Sequence, residues 1–371
     1  MNLVLTCPFW LESIAKKEIE LLGLPIINSQ DKQITTTYSE NNIAKLNLWS
    51  RVWNKVYIEL ARKDNIDSFD KLFELIQSID WKYFIVEENP IIVNATSISS
   101  QLESIPGIQK TWKKAIVDKL IVDKLNKWFL REDDNCTSIY VEIVLIRNTC
   151  QILIDTSWEA LHKRWYRQQS VEAPIRENLA AWLVLLSSWR FKENLYDLFC
   201  WSWTIVIEAA LIAKNIAPGI NRNFAFEKFK FLNKDILNEE KEIARSKIIN
   251  KTYNIMWSDI DENAINIAKI NALKAWVGDI INFEQKDFRN NINSNLIWTM
   301  VSNPPYGIRL KDEDLEKLYS DLASLFNKNK ELKWWIITNY QFWELLKSHY
   351  KKRKVYNWQE LCYFYIKSNS L

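Results

Sequence analysis

From Ile175 onward, short apolar runs alternate with helical stretches, and this β/α grammar restricts the second half of the chain more than any other feature. The spacing predicts a helix over 175–188, a short strand at Asn194–Asp197, a helix over Thr204–Lys214, a charged helical stretch over 224–247 and a strand at Tyr253–Asp259. A helix over Glu262–Ala275 follows, then Asn282–Lys286 leading into Asp287, a strand at Leu296–Ser302 and a helix over Asp314–Asn327. Trp334–Thr338, Lys354–Tyr356 and Leu361–Ile366 supply late strands. Such alternation predicts an α/β fold with a doubly wound sheet, whose binding loops lie at the carboxyl ends of the strands.

The first half reads as α+β. Strands are expected at Leu3–Leu5, Val56–Leu60 and Ile91–Ala95, and a hairpin pairs Tyr140–Leu145 with Cys150–Asp155 around Arg147-Asn148-Thr149. Helices are expected over Leu11–Leu22, Asn42–Trp49 and 69–79. A Pro106-Gly107 turn then opens a helix reaching Asp123 and carrying Lys110, Lys113 and Lys114. No catalytic constellation stands out there. At 371 residues the chain suggests two domains with a small third piece, divided as 1–60, 61–160 and 161–371.

Composition narrows the function. A net charge of +3 permits a nucleic-acid partner only through a local basic footprint. One candidate is the lysine group on the helix after Pro106. Another is the knot Leu161–Arg167, where Lys163, Arg164 and Arg167 surround an aromatic pair; a solvated linker face is the plainer reading. No run approaches 18 apolar residues, the five cysteines form no Cys-x-x-Cys, and the two histidines lie away from the motifs. These features predict a reduced, cytoplasmic protein without a membrane or metal partner.

Four strand ends carry candidate chemistry. In Ser302-Asn303-Pro304-Pro305-Tyr306-Gly307 two prolines fix φ and remove two donors, so a rigid segment presents its carbonyls. Asn303 adds an amide oxygen and Tyr306 a flat face. Two acceptors beside an aromatic plane suit a planar substrate with an exocyclic NH2, because holding both N–H bonds aims the nitrogen lone pair at an electrophile. The plainer reading is a turn after the buried strand Trp298–Val301. Upstream, Asp197–Thr204 lies between a strand and a helix, where backbone and helix N-terminal donors meet a ligand. Asp259-Ile260-Asp261 closes the next strand, where an acid can accept from ribose hydroxyls. Asp287-Phe288 closes the third, where a carboxylate can accept from an adenine amino group. Each acid alone is more often a cap or a surface charge; four sites in strand-end register mark one pocket.

One count is abnormal: 5 glycines stand against 19 tryptophans, where glycine ordinarily makes up roughly 7% of a chain. Trp165, Trp201, Trp203 and Trp257 occupy positions where the local physics asks for glycine. This pattern predicts that a stop codon has been read as Trp where the organism inserts Gly. Taken literally, the indoles of Trp201 and Trp203 would fill the cofactor space.

With those residues in view, the whole chain resembles the class I S-adenosylmethionine-dependent methyltransferases with an Asn-Pro-Pro-Tyr motif. Within them it resembles the THUMP-domain RNA guanine-N2 methyltransferases, and best the bacterial large-subunit rRNA enzymes. The resemblance also rests on Thr6-Cys7-Pro8-Phe9-Trp10-Leu11-Glu12, Ser104-Ile105-Pro106-Gly107-Ile108-Gln109-Lys110 and Lys113-Lys114-Ala115-Ile116. It continues through Arg164, Tyr166 and Arg167 into Ala217-Pro218-Gly219-Ile220-Asn221-Arg222. Trp10, Trp158, Trp165, Trp201, Trp203, Trp257 and Trp298 depart from it at glycine positions.

The resemblance implies a Rossmann-like methyltransferase domain over 161–371, preceded by a ferredoxin-like piece (1–60) and a THUMP-like RNA-binding domain (61–160). It assigns Asp197, Phe199, Cys200, Trp201, Ser202, Trp203 and Thr204 to the methionine end of the cofactor, and Asp259 to its ribose. Ile260, Asp287 and Phe288 fall to its adenine. Asn303, Pro304, Pro305 and Tyr306 fall to the target base, and the amino-terminal half to RNA capture. Two alternatives stay open: an adenine-N6 methyltransferase on DNA or RNA, or a non-catalytic RNA-binding assembly factor if Trp201 and Trp203 are genuine.

Overall fold

In the computed structural model the described residues are 1–8, 11–30, 32–84, 91–122, 138–167, 175–199, 203–293, 296–306, 312–347, 349–357 and 360–367. They form two compact units. One comprises Met1–Cys7, Lys16–Leu161 and Arg222–Glu242, the other Pro8–Ala15, His162–Asn221 and Ile243–Leu371.

The first unit is built on one seven-stranded sheet. Its strands are β1 (Asn2–Thr6), β2 (Ile26–Gln30), β3 (Gln33–Thr37), β4 (Lys55–Lys63), β5 (Ile91–Ile98), β6 (Ile139–Ile146) and β7 (Thr149–Asp155), in the order β2-β3-β1-β4-β7-β6-β5. The fully buried Leu3-Val4-Leu5 places β1 between two antiparallel partners, β3 and β4. Arg147 and Asn148, at φ 50° and 62°, make a two-residue turn between Ile146 and Thr149, the left-handed pair that a tight hairpin needs. Helices α1 (Glu12–Leu21), α2 (Glu40–Trp49), α3 (Phe69–Gln77), α4 (Trp81–Phe84) and α5 (Ile105–Val122) complete the first 160 residues.

Three local expectations change. The β2–β3 hairpin goes unseen in the sequence because Asn28-Ser29-Gln30 breaks its apolar pattern and a bulge follows Ile26. Pro106 and Gly107 belong to the first turn of α5, not to a separate turn. The Ser104 hydroxyl accepts from the Gly107 N–H, and a Cβ at Gly107 would stand 2.8 Å from Phe69 Cζ. The helix expected over 224–247 is interrupted: a 3-10 turn covers Ala225–Lys228, and the α-helix α8 runs from Ile236 to Ser246. Before it, the rings of Phe224 and Phe226 stack at 5.6 Å and those of Phe229 and Phe231 at 5.2 Å, pairs at i,i+2 that a helix would separate.

The second unit carries the other seven-stranded sheet, of β8 (Leu195–Asp197), β9 (Ile255–Asp259), β10 (Ile281–Gln285), β11 (Thr299–Ser302), β12 (Lys333–Thr338), β13 (Tyr350–Asn357) and β14 (Glu360–Lys367). The order is β10-β9-β8-β11-β12-β14-β13; β8 to β12 are mutually parallel, and β14 lies antiparallel between β12 and β13. The strand order reverses between β8 and β11, the place where such a sheet opens a crevice. Every residue of β8 and β11 is buried, as expected of central strands covered on both faces. Helix α6 (Glu177–Leu186) packs with α7 (Trp203–Ala213), which in turn packs on β8 and β9 and is apolar all round except for Thr204 and Glu208. Helices α9 (Glu262–Lys274) and α10 (Asp312–Lys328) cross between later strands, and α10 buries Leu315, Tyr319, Leu322 and Phe326 with Trp334 and Ile336. No helix of the described residues is long and apolar enough to cross a membrane.

Three helices end in one way. The N–H groups of Leu24, Ile216 and Val277 donate to the carbonyls of Ile19, Leu211 and Ala272, around Gly23, Asn215 and Trp276 at φ 74°, 51° and 61°. This Schellman closure takes Gly readily and Asn often, whereas a bulky side chain at positive φ costs roughly 1–2 kcal/mol. Trp158 is held at φ 68° as well. Trp276→Gly is therefore expected to stabilise the chain by about 1 kcal/mol, read from urea-unfolding midpoints. Peptide mass spectrometry of the protein from its own source is expected to give glycine at 158 and 276. The sequence did not single out Trp276, although Ala-Trp-Val-Gly after a helix is a C-terminal signal.

Candidate active site

A cavity of about 150 Å³ opens at the carboxyl edge of the second sheet. Four consecutive strand ends line it: Leu198 and Phe199 after β8, Asp259 and Ile260 after β9, Lys286 to Arg289 after β10, and Pro305 after β11. Leu318 of α10 completes the wall. The volume is below the roughly 300–1,000 Å³ of a whole-ligand pocket and matches part of a ligand. Cys200, Trp201 and Ser202 lie outside the described residues, as does Gly307.

At the end of β8, Asp197 is fully buried. Its Oδ1 accepts from the Ser302 hydroxyl and from the Phe199 N–H (3.3 Å), while Oδ2 has no partner among the described residues. Burial pushes this carboxyl well above the usual carboxylate range, and the Ser302 hydrogen bond opposes that only in part. Asp259 is buried on the cavity wall, where its Oδ1 accepts from the Asp261 N–H at 2.7 Å and fixes the turn into α9. Beside it Ile260 projects, 67% exposed. Asp287 caps a short 3-10 turn through the Arg289 N–H and pairs with the Arg289 guanidinium at 3.0 Å, which a second carboxylate, Asp321, also holds at 2.6 Å. The rings of Phe288 and Phe199 meet at 5.1 Å on the cavity floor.

At the end of β11, Asn303 is fully buried and, among the described residues, neither Nδ2 nor Oδ1 has a partner. Leaving such an amide unsatisfied costs about 1–3 kcal/mol per group, a cost that a bonded ligand would remove. The Pro305 carbonyl accepts from Tyr319 Oη at 3.1 Å, whereas among the described residues nothing donates to the Pro304 carbonyl. Tyr306 is buried, and its hydroxyl accepts from Asn357 Nδ2 at 2.8 Å. Sequence reasoning did not find Tyr319 and Asn357. Both lie far along the chain, and only the pairing of β12 with β14 and of β14 with β13 brings Asn357 to this end.

Other expected residues lie elsewhere. Trp203 and Thr204 open α7 and are fully buried away from the cavity lining. The Trp203 ring sits under the Arg167 guanidinium (4.6 Å), and Thr204 Oγ1 accepts from Arg167 Nη2 (2.7 Å). The Trp203 indole is not among the residues lining this cavity. Arg164 is buried against Glu208 at 3.1 Å and Arg167 pairs with Glu177 at 2.5 Å, so both guanidiniums turn inward and Lys163 is the exposed member of that group. In the first unit Lys110, Lys113 and Lys114 are exposed on α5 at i, i+3 and i+4, one face of the helix.

Known proteins resemble the chain over most of its length. Residues 164–364 match the family described as RMKL-like, methyltransferase domain, and residues 2–57 match the RlmL ferredoxin-like domain. YpsC of Bacillus subtilis (strain 168), provisionally named an RNA methyltransferase, is 36% identical over 365 residues, covering 96% of this chain and 93% of that protein. The ribosomal RNA large subunit methyltransferase K/L of Marinomonas sp. (strain MWYL1) is 27% identical over 93% of this chain, which spans only 47% of that protein. Among solved structures, SMU.472, a methyltransferase complexed with SAH, matches with TM-score 0.89 and 31% identity over 100% of this chain and 98% of its own. A Listeria monocytogenes protein described as a predicted N6-adenine-specific DNA methylase matches with TM-score 0.90 and 32% identity over 99% of this chain and 96% of its own.

Proposed function

Because the chain belongs to the RMKL-like methyltransferase family, we propose that it transfers a methyl group from S-adenosylmethionine to the exocyclic N2 of a guanine in RNA, with 23S rRNA as the substrate. The observation that carries this reading is the pair of orphaned amide atoms on buried Asn303, at the end of the strand whose Pro305 lines the cavity. The rRNA assignment draws on the K/L relative, and RNA as a class on both curated relatives.

The residues present fit the adenosyl part of the cofactor. In this assignment Asp259 accepts from the ribose hydroxyls, Ile260 and Phe288 pack on the base, and Asp287 accepts from the adenine amino group through lone pairs that Arg289 leaves over. Residues 197–204 hold the methionine end, with Phe199 on the cavity wall. When bound, S-adenosylmethionine supplies an electrophilic methyl on its sulfonium. The chain orients the nucleophile: the Asn303 side-chain oxygen and the Pro304 carbonyl accept the two N–H bonds of the amine. Tyr319 fixes the neighbouring Pro305 carbonyl, and Tyr306, buried with its hydroxyl held by Asn357, braces the segment that receives a base taken out of its helix. The proton lost from the product nitrogen goes to solvent, so no strong base is needed. Residues 61–160 act as a THUMP-like RNA-binding domain through the exposed lysines of α5, reading backbone and shape.

Asp259→Ala is expected to weaken the cofactor by about 1.5–3 kcal/mol, or roughly 10- to 150-fold in Kd by calorimetric titration. Tritiated methyl transfer to rRNA, tRNA and duplex DNA tests the substrate class, and mapping of methylguanosine in 23S rRNA from cells lacking the protein locates the target. Label in DNA alone would overturn the RNA reading. The second reading, adenine-N6 transfer, is favoured by the description of the Listeria neighbour, since the same acceptor pair serves any exocyclic amine. N6-methyladenine as the product would establish it.

A further inference from the structure

We propose that the edge strand β13 is a binding rail for the single-stranded RNA that flanks the target nucleotide. The proposal rests on the RNA reading above. Lys351, Lys352, Arg353 and Lys354 are four consecutive exposed cations on this strand, which carries no acid. Across the hairpin they face Ile366, Tyr365, Phe364 and Tyr363, so no carboxylate on β14 neutralises them. Lys351, Arg353 and Lys354 make no ion pair among the described residues.

Side chains alternate along a strand, so Lys352, Lys354 and Tyr356 share one face with Tyr363 and Leu361 of β14. On that face Lys352 lies 5.4 Å from the Tyr363 ring centre and Tyr356 is 51% exposed. Cations beside one exposed ring, Tyr356, and one half-buried ring, Tyr363, suit an unpaired nucleic-acid strand: phosphates meet the charges and a base stacks on the open ring. An acidic peptide would use the charges but not the planes.

Position connects the rail to the chemistry. Asn357 ends the strand and donates to the Tyr306 hydroxyl, so β13 reaches the Asn-Pro-Pro-Tyr segment directly. At about 3.4 Å per residue, Lys354 stands roughly 10 Å and Lys351 roughly 20 Å back from that point, a few nucleotides from the target base. Lysines on an edge strand also discourage sheet-to-sheet pairing, which alone would account for the charges but not for the aromatic face.

The experiment measures binding of a fluorescent single-stranded RNA oligonucleotide to the full chain and to Lys352→Gln/Lys354→Gln across a salt series, alongside cofactor titration and sedimentation. The expected result is a salt slope smaller by about 1.4, at about 0.7 per lost phosphate contact, with cofactor affinity unchanged. If the double variant self-associates, each single substitution is expected to lower the slope by about 0.7. A monomeric variant with the parental slope overturns the rail while leaving the methyl-transfer reading intact. Failure of the parent chain to bind RNA at all overturns both, and loss of cofactor affinity in the variant with an unchanged salt slope marks structural damage and also counts against the rail.

Discussion

Asn303→Ala is expected to abolish methyl transfer to RNA, by about 10²- to 10³-fold or more in kcat, while cofactor affinity stays nearly intact. The asymmetry follows from where the amide sits. Asn303 is absent from the cavity wall that Asp259 and Asp287 share, and its buried Nδ2 and Oδ1 have no partner among the described residues. In the free enzyme its removal takes away two unsatisfied groups, so the variant is expected to be no less stable than the parent. In the complex the removal leaves the amine without an acceptor, and its lone pair is no longer aimed. Single-turnover transfer of tritiated methyl, run beside cofactor titration, separates the two quantities. A variant that loses both equally would contradict the division of labour between β9 and β11.

Arg164→Leu is expected to have the largest effect on stability, a loss of about 3–5 kcal/mol in urea unfolding. The guanidinium is buried against Glu208, whose Oε1 also accepts from Tyr166 Oη at 2.9 Å. Both residues are almost wholly sealed from water, with side-chain exposures of 1% and 0%. Removing the cation strands a carboxylate in an apolar helix, and the desolvation penalty then stands uncompensated. Removing both charges removes the penalty too, so Arg164→Leu/Glu208→Leu is expected to recover most of the lost stability. A single variant as stable as the parent, but with a weaker salt dependence of RNA binding, would instead return Arg164 to the RNA interface.

These two sites show what a sequence carries and what it hides. Strand ends can be read because the strands stop at polar residues: Asp197 and Asp259 end β8 and β9, and Asp287 and Asn303 follow β10 and β11. Partnership across the chain cannot be read in this way. Leu161–Arg167 looks like a solvated basic run, yet Glu208, the acid that draws Arg164 inward, lies 44 residues away. A usable signal did exist: a single Glu in the otherwise apolar Trp203–Ala213 needs a buried cation. Asn357 and Tyr319 give no such signal, because the contacts that matter depend on tertiary register and not on local composition. The β2–β3 hairpin was hidden by its own polar residues, and the aromatic stretch at 224–231 was mistaken for helix because its period of two was overlooked.

The reversal of strand order between β8 and β11 has a consequence for how such a protein can diverge. Connectivity, and not the identity of any lining side chain, opens the gap between those two strands, so the crevice would outlast the exchange of every residue around it. The loops after β8, β9 and β10 can keep their ligand while the short segment after β11 is rewritten. A descendant could therefore acquire a new acceptor molecule through a handful of substitutions and leave its donor untouched.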